Sequence, residues 1–215
     1  WTPGKRISKI LKTASPNTSV SLSDLPCEVD IRALHDTVEF LTTLQPPRNE
    51  QFPQSLDTAA GYIGEQFQHF GLSATMQEFA VDGTVYRNVI GVCGADKANR
   101  IIVGAHYDVC GDQPGADDNA SAVAGLLEIA RLISQCGAEA SCRGDFVAYS
   151  LEEPPFFATE HMGSYIHAQS LHKQGISVRG MLCLEMIGYY TSLPNSQKYP
   201  LGVMGAFYPS EGDFI

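Results

Sequence analysis

Apolar residues recur at helical spacing in "DIRALHDTVEFLTTL" and again in "LDTAAGYIGEQFQHFG", where Gly71 closes the pattern. Two shorter runs follow, "ATMQEFAV" and "YRNVIGVCG", separated by "DGT", and they read as strands around a turn. "RIIVGAHYD" is apolar without a helical period and has the length of a buried strand. Beyond it the two kinds of pattern alternate. "ASAVAGLLEIARLISQ" reads as a helix, "GDFVAYSLEE" as a strand, "HMGSYIHAQSLHKQG" as a helix and "GMLCLEMIGYY" as a strand, with "YPLGVMGAFYP" as one more strand. Residues 1–32 mix Pro, Ser and Thr with no sustained period and read as an extended leader, which leaves 33–215 as the folded catalytic unit. No internal repeat or low-complexity stretch competes with this reading.

Strands alternating with helices predict an α/β fold, a three-layer αβα arrangement with a mixed, largely parallel central sheet. Ligands in such sheets bind beyond the carboxyl ends of the strands. Three predicted strands deliver ionisable groups to that edge: the strand near 101–106 ends in His106 and Asp108, the strand near 145–151 runs into Glu152 and Glu153, and the strand near 181–186 carries Glu185.

The segment "GAHYDVCGDQPGADDNASAVAG" (104–125) crowds one His and four Asp between an apolar strand and an apolar helix. Carboxylates resist burial unless a positive group meets them, so the segment is either a solvated loop or a cation site. His106, Asp118, Glu153 and Glu185 supply one imidazole and three carboxylates, a donor set suited to a divalent ion of the zinc type. Asp118 precedes a helix, and its two oxygens are placed to bridge ions roughly 3.5–4 Å apart, as in two-metal hydrolases. Taken singly, each motif has a plainer reading. A strand-end His followed by Asp is often a capped loop, and paired Glu a solvated edge. Asp117–Asp118–Asn119 before an apolar helix is an N-cap cluster. Glu185 resists such dismissal, because a carboxylate among Leu, Met and Ile needs a partner.

Composition narrows the function. With 215 residues, 44% hydrophobic, the chain can bury a sizeable core, and its net charge of −10 argues against nucleic-acid binding. No apolar run approaches the roughly 18 residues of a membrane span. No signal-peptide pattern opens the sequence, yet it starts at Trp1 rather than Met, and an upstream leader or anchor is expected to have been removed. The six cysteines (27, 93, 110, 136, 142, 183) include no CxxC pair; Cys136 and Cys142 flank "GAEAS" and are candidates for a small disulfide in an oxidising compartment, while Cys183 is expected to serve packing. "NTS" at 17 and "NAS" at 119 match the glycosylation sequon, the second as a coincidence inside the charged loop. His35, His69, His161, His167 and His172 read as surface or packing residues. "PPFF" (154–157) is expected to shape a pocket wall, and Phe156, Phe157, Tyr189 and Tyr190 fit a substrate subsite and core packing equally.

The motifs "AHYD" (105–108), "PGADDNASAVAGLLEIAR" (114–131), "EEPPFFATEHMGS" (152–164) and "CLEMIGYY" (183–190) together resemble the co-catalytic two-zinc aminopeptidases, relatives of bacterial leucyl aminopeptidase and aminopeptidase Y, and they occur in family order. The resemblance implies a zinc-exopeptidase fold and a zinc-dependent aminopeptidase acting on peptides. In it His106 binds one zinc, Asp118 bridges two, and Glu153 binds the second. Glu185 stands where many relatives carry Asp, Asp108 orients His106, and Asp117 and Asn119 hold the loop. Glu152 acts as general base, taking a proton from the attacking water and passing it to the leaving amine. The family supplies a further His ligand downstream of Glu185. None follows before Ile215, so the resemblance implies a C-terminally truncated domain whose second zinc lacks one ligand. Relatives are often secreted, periplasmic or anchored, and that location is expected here. Two other functions fit the fold group: a glutaminyl-cyclase-like acyl transferase with a single zinc, and an inactive binding module. Side-chain preference and oligomeric state leave no mark in the sequence.

Overall fold

A computed structural model describes residues 28–135, 142–199, 202–206 and 208–212. Helix α1 (Ile31–Thr43) starts where Asp30 caps it, its carboxylate accepting from Ala33 N at 3.0 Å. The Asp30 N–H donates to Glu128 Oε1 at 2.7 Å, which fastens this start to a later helix. Helix α2 (Pro53–His69) opens on proline, whose missing N–H is no loss in a first turn, and the chain leaves it through Gly71 at φ +80°.

Strands β1 (Ser73–Val81) and β2 (Thr84–Cys93) form an antiparallel hairpin over Asp82–Gly83, both at positive φ as a two-residue hairpin loop demands. Then come β3 (Arg100–His106), a kinked turn (Ala116–Ser121) in which Asp118 and Asn119 leave the helical region, α3 (Ala122–Gln135), β4 (Arg143–Tyr149), α4 (Gly163–Lys173) and β5 (Gly180–Cys183). The sheet order is β1-β2-β4-β3-β5. β3 pairs parallel with both β4 and β5, whereas β2 pairs antiparallel with β1 and β4. The sheet is therefore mixed, with the parallel part where the site lies.

Alternation along β4 shows the layering. Phe146 and Ala148 join the core shared with α1, α2 and α3; Val147 and Tyr149 join a smaller core with Leu171 of α4. Side chains of period two thus cement helices to both faces. Close approach needs glycine at two points: a Cβ on Gly91 would meet the Phe67 ring at 2.7 Å, and one on Gly104 would meet Tyr149 at 2.5 Å. From β3 the chain passes through α3 on one face to β4, then back through α4 on the other face to β5 beyond β3. This reversal of direction about β3 leaves a crevice at the carboxyl ends, the usual place for a ligand.

Three expectations are corrected. The strand expected over 199–209 is, where described, a 3₁₀ helix at Gly202–Ala206; the only pairing nearby among the described residues is an isolated bridge between Thr191 and Gly212, so no ladder supports a strand. The last β-strand stops at Cys183 instead of running to Tyr190, and Glu185 lies just past its end. There the Asn119 side chain takes over the hydrogen bonding, accepting from Met186 N at 3.0 Å and donating to Leu184 O at 3.1 Å. Cys183 is exposed rather than packed, because β5 is the edge strand among the described residues. The leader as far as residue 27, Asn17 and Cys136, and with it the Cys136–Cys142 pairing, lie outside the described residues.

Candidate metal centre

His106 ends β3, the strand with a parallel neighbour on each side, and its imidazole is 3% exposed. Adjacent strands run about 4.8 Å apart, so whatever follows β4 and β5 is delivered beside it. From the β5 side comes Glu185, with Oε1 3.4 Å from His106 Nε2. From the β4 side comes Glu152, at 3.8 Å from the same nitrogen. Asp118, in the turn before α3, places Oδ1 3.1 Å from it. Glu153 completes a group with His106 and Glu152 whose ligand atoms lie within 4.8 Å of one another; His106, Asp118 and Glu185 form a second such group.

The backbone that presents these groups is tied down by short polar side chains. Asp108, 2% exposed, accepts from Glu152 N at 3.1 Å through Oδ1 and from Glu153 N at 3.0 Å through Oδ2. Its Oδ1 is also 3.4 Å from His106 Nδ1, on the side of the ring away from the cluster. One carboxylate thus fixes both glutamate backbones and faces the imidazole, as an orienting residue should. Asn119, fully buried, donates to Glu185 Oε2 at 3.1 Å. That bond supplies part of the partner that a carboxylate in "CLEMIG" required. It also occupies the amide, so Asn119 is not available as a glycosylation acceptor. Asp117 accepts from Gly188 N at 2.9 Å and from Ser121 Oγ at 3.2 Å.

The electrostatics are those of a site short of positive charge. Burial opposes charge on His106, but Asp108 and Glu185 outweigh it and hold the imidazole up to about 11. Burial, then the charge of Asp118, pushes Glu153 up to about 7. Burial also raises Asp118 and Glu152, with neighbouring carboxylates adding to the effect. Asp118 Oδ1 and Glu153 Oε1 are buried without a hydrogen-bond partner. A single Nε2–H cannot serve three carboxylates, and orphaned buried oxygens are costly. A divalent cation among His106, Asp118 and Glu185, with Glu153 and Glu152 alongside, removes both problems. The donors fit zinc: one imidazole nitrogen and carboxylate oxygens.

Every residue assigned to the site from the sequence lies in or against this cluster. The other histidines do not. His167 is buried against Tyr149, its Nδ1 3.1 Å from the phenol oxygen, and His35 and His69 are exposed. Phe156 packs on the core beside Tyr86, whereas Phe157, Tyr189 and Tyr190 are exposed. The residue that sequence reading missed is Arg48. It is 1% exposed and spends its guanidinium on backbone carbonyls of the loop between His106 and Asp118. A lone Arg between "QPP" and "NEQ" belongs to no periodic pattern, and nothing local marks it.

One imidazole and a set of carboxylates at the carboxyl edge of an open α/β sheet form a donor set suited to a divalent metal ion. Residues 88–204 match the family model "Peptidase family M28", and the chain belongs to that family. It is 43% identical over 203 residues to the uncharacterized protein YfbL of Escherichia coli (strain K12), covering 91% of this chain and 61% of that one. Among solved structures, a leucine aminopeptidase precursor from Bacteroides thetaiotaomicron is 25% identical with a TM-score of 0.62, covering 78% of this chain and 65% of that one. The glutaminyl cyclase of the same organism is also 25% identical, with a TM-score of 0.61 and the same coverage. The chain thus spans less than two thirds of the length of each of these relatives. Among the described residues no helix is long and apolar enough to cross a membrane.

Proposed function

We propose that the chain carries the metal centre of a zinc-dependent aminopeptidase. The observation that carries the reading is the convergence on His106 Nε2 of Asp118, Glu185 and Glu152 from three separate segments at one sheet edge. Bound zinc supplies Lewis acidity toward the scissile carbonyl and lowers the pKa of water. The protein does the rest. His106, Asp118 and Glu185 would hold one ion, and Asp118 and Glu153 would serve a second. Glu152, partly exposed beside the cluster, takes the proton of the attacking water and returns it to the departing amine; a raised pKa suits a group that must both accept and donate. Cleavage at the terminal residue, with the free ammonium of the peptide beside the acidic groups, is what the resemblance to the zinc aminopeptidases implies. The substrate is accordingly a peptide, and residues 33–215 belong to the catalytic domain. A secreted, periplasmic or anchored location is part of the same proposal.

The structural likeness to a glutaminyl cyclase favours one second reading, an acyl transferase. Aminoacyl-chromogenic substrates and N-terminal glutaminyl peptides, assayed with and without chelator and with zinc content measured, separate the two. Chelator-sensitive release of N-terminal residues supports the aminopeptidase. Pyroglutamyl formation alone sinks it, and a folded chain that binds no zinc and turns over neither substrate leaves a binding module.

A further inference from the structure

Arg48 sits between α1 and α2, far in sequence from every ligand, yet its side chain ends behind the loop between His106 and Asp118. Nε donates to Tyr107 O at 2.8 Å, the carbonyl between His106 and Asp108. Nη1 donates to Pro114 O at 2.6 Å and Leu41 O at 2.9 Å, and Nη2 to Gly115 O at 2.7 Å. Gly115, at φ +61°, leads directly into the turn that bears Asp118, and a Cβ there would come within 2.8 Å of Nη2 and 2.4 Å of Asp118 O. The same segment adds two further bonds: Val109 N donates to the backbone Arg48 O at 3.1 Å, and the side-chain Asn49 Nδ2 donates to Gly111 O at 2.6 Å. Both ends of the loop from Tyr107 to Gly115 are thereby fastened to one guanidinium.

No carboxylate among the described residues lies within ion-pair distance of Arg48, although the group is almost wholly buried. Burying a cation without a direct counterion is expensive, and its partners here are carbonyl dipoles and the acidic cluster beyond them. Burial lowers the group to about 10, while the charges of Asp108 and Asp118 act to raise it, so it stays charged at neutral pH. A fork of fixed N–H groups reaches several carbonyls at once, which an ammonium cannot do.

We infer that Arg48 is a positioning residue that sets the separation of His106 from Asp118 before any metal arrives, by clamping the carbonyls of Tyr107, Pro114 and Gly115. This rests on the metal-site reading above, and the two can fail separately. The test compares Arg48→Lys, which keeps the charge, with Arg48→Met, which loses it. Zinc affinity is measured by chelator competition, the visible spectrum is recorded with cobalt(II), and amide exchange is followed in the metal-free protein. The expected result is a sheet that remains protected in both variants, zinc affinity reduced about tenfold or more in both, an altered cobalt spectrum, and faster exchange at Ala120, whose N–H bonds Gly115 O at 3.1 Å. Wild-type affinity and exchange in the Lys variant would show that charge alone matters and overturn the clamp. Failure of both variants to fold would overturn it as well, in favour of a general scaffold role. A wild-type protein that binds no zinc defeats the metal reading instead, and the exchange rates alone then decide the role of Arg48.

Discussion

Glu152 and Glu153 are neighbours with different work. Asp108 holds both through their backbone N–H groups, which leaves both carboxylates free to face the cluster. If Glu152 moves the proton, Glu152→Gln keeps the fold and the zinc content and lowers kcat by roughly 10²–10⁴. Loss of zinc in that variant would assign it to metal binding instead. For Glu153 the expectation concerns pH. Its carboxyl is held at about 7 in the folded, metal-free protein, above the roughly 4.3 of an unfolded chain. The folded state therefore binds this proton more tightly. Its contribution to stability is fully present below the unfolded value and is lost as pH rises through about 7. Thermal melts of the metal-free protein between pH 5 and 8 should fall less steeply in Glu153→Gln than in the wild type. In the same window zinc affinity should climb, since the ion competes with that proton; identical slopes in the two proteins would contradict the assignment.

Elements place these residues, and helix α1 depends on others for its own start. Asp30 caps it while its N–H is held by Glu128, which Arg131 grips at 2.7 and 2.8 Å. Burial opposes charge on Glu128, but Arg131 and the Asp30 amide outweigh it and hold the carboxyl below its ordinary value. Asp30→Ala should cost about 1 kcal/mol, and Glu128→Ala about 1–3 kcal/mol, because it removes the acceptor of three N–H groups. Urea melts measure both losses. At Gly91 the sheet admits the ring of Phe67 from α2. Ala there should cost about 1–3 kcal/mol by overpacking, and an unchanged unfolding midpoint would show that the ring has room to move.

On the scale of the whole molecule, the carboxyl edge holds more acid than its one imidazole can balance. Cations should therefore be part of the stable fold. Zinc at about 100 times its Kd should add about 2.7 kcal/mol by mass action, seen as a rise in Tm that chelator reverses; no rise would mean that the cluster holds no zinc. Helical periodicity marked α1 to α4, and short apolar runs bounded by turn residues marked β1 to β4, since burial writes itself into the local pattern of the chain. That pattern failed at 184–190 and 199–209. Short apolar stretches carry too few residues to tell a strand from a loop that packs, and at 184–186 a side chain from another segment, Asn119, replaces the ladder.

The identity of the candidate donors was therefore legible in the sequence by itself. One His and a run of carboxylates after apolar strands cannot be read as core, and their order carries the family resemblance. Which oxygen meets which nitrogen was decided only by the tertiary structure. The bonds that settle it, from Arg48 to Tyr107 and Gly115 and from Asn119 to Glu185, span 59, 67 and 66 residues. Contacts of that reach leave no period in a chain. They exist only once β3, with β4 and β5 on either side, has brought three loop ends to one edge.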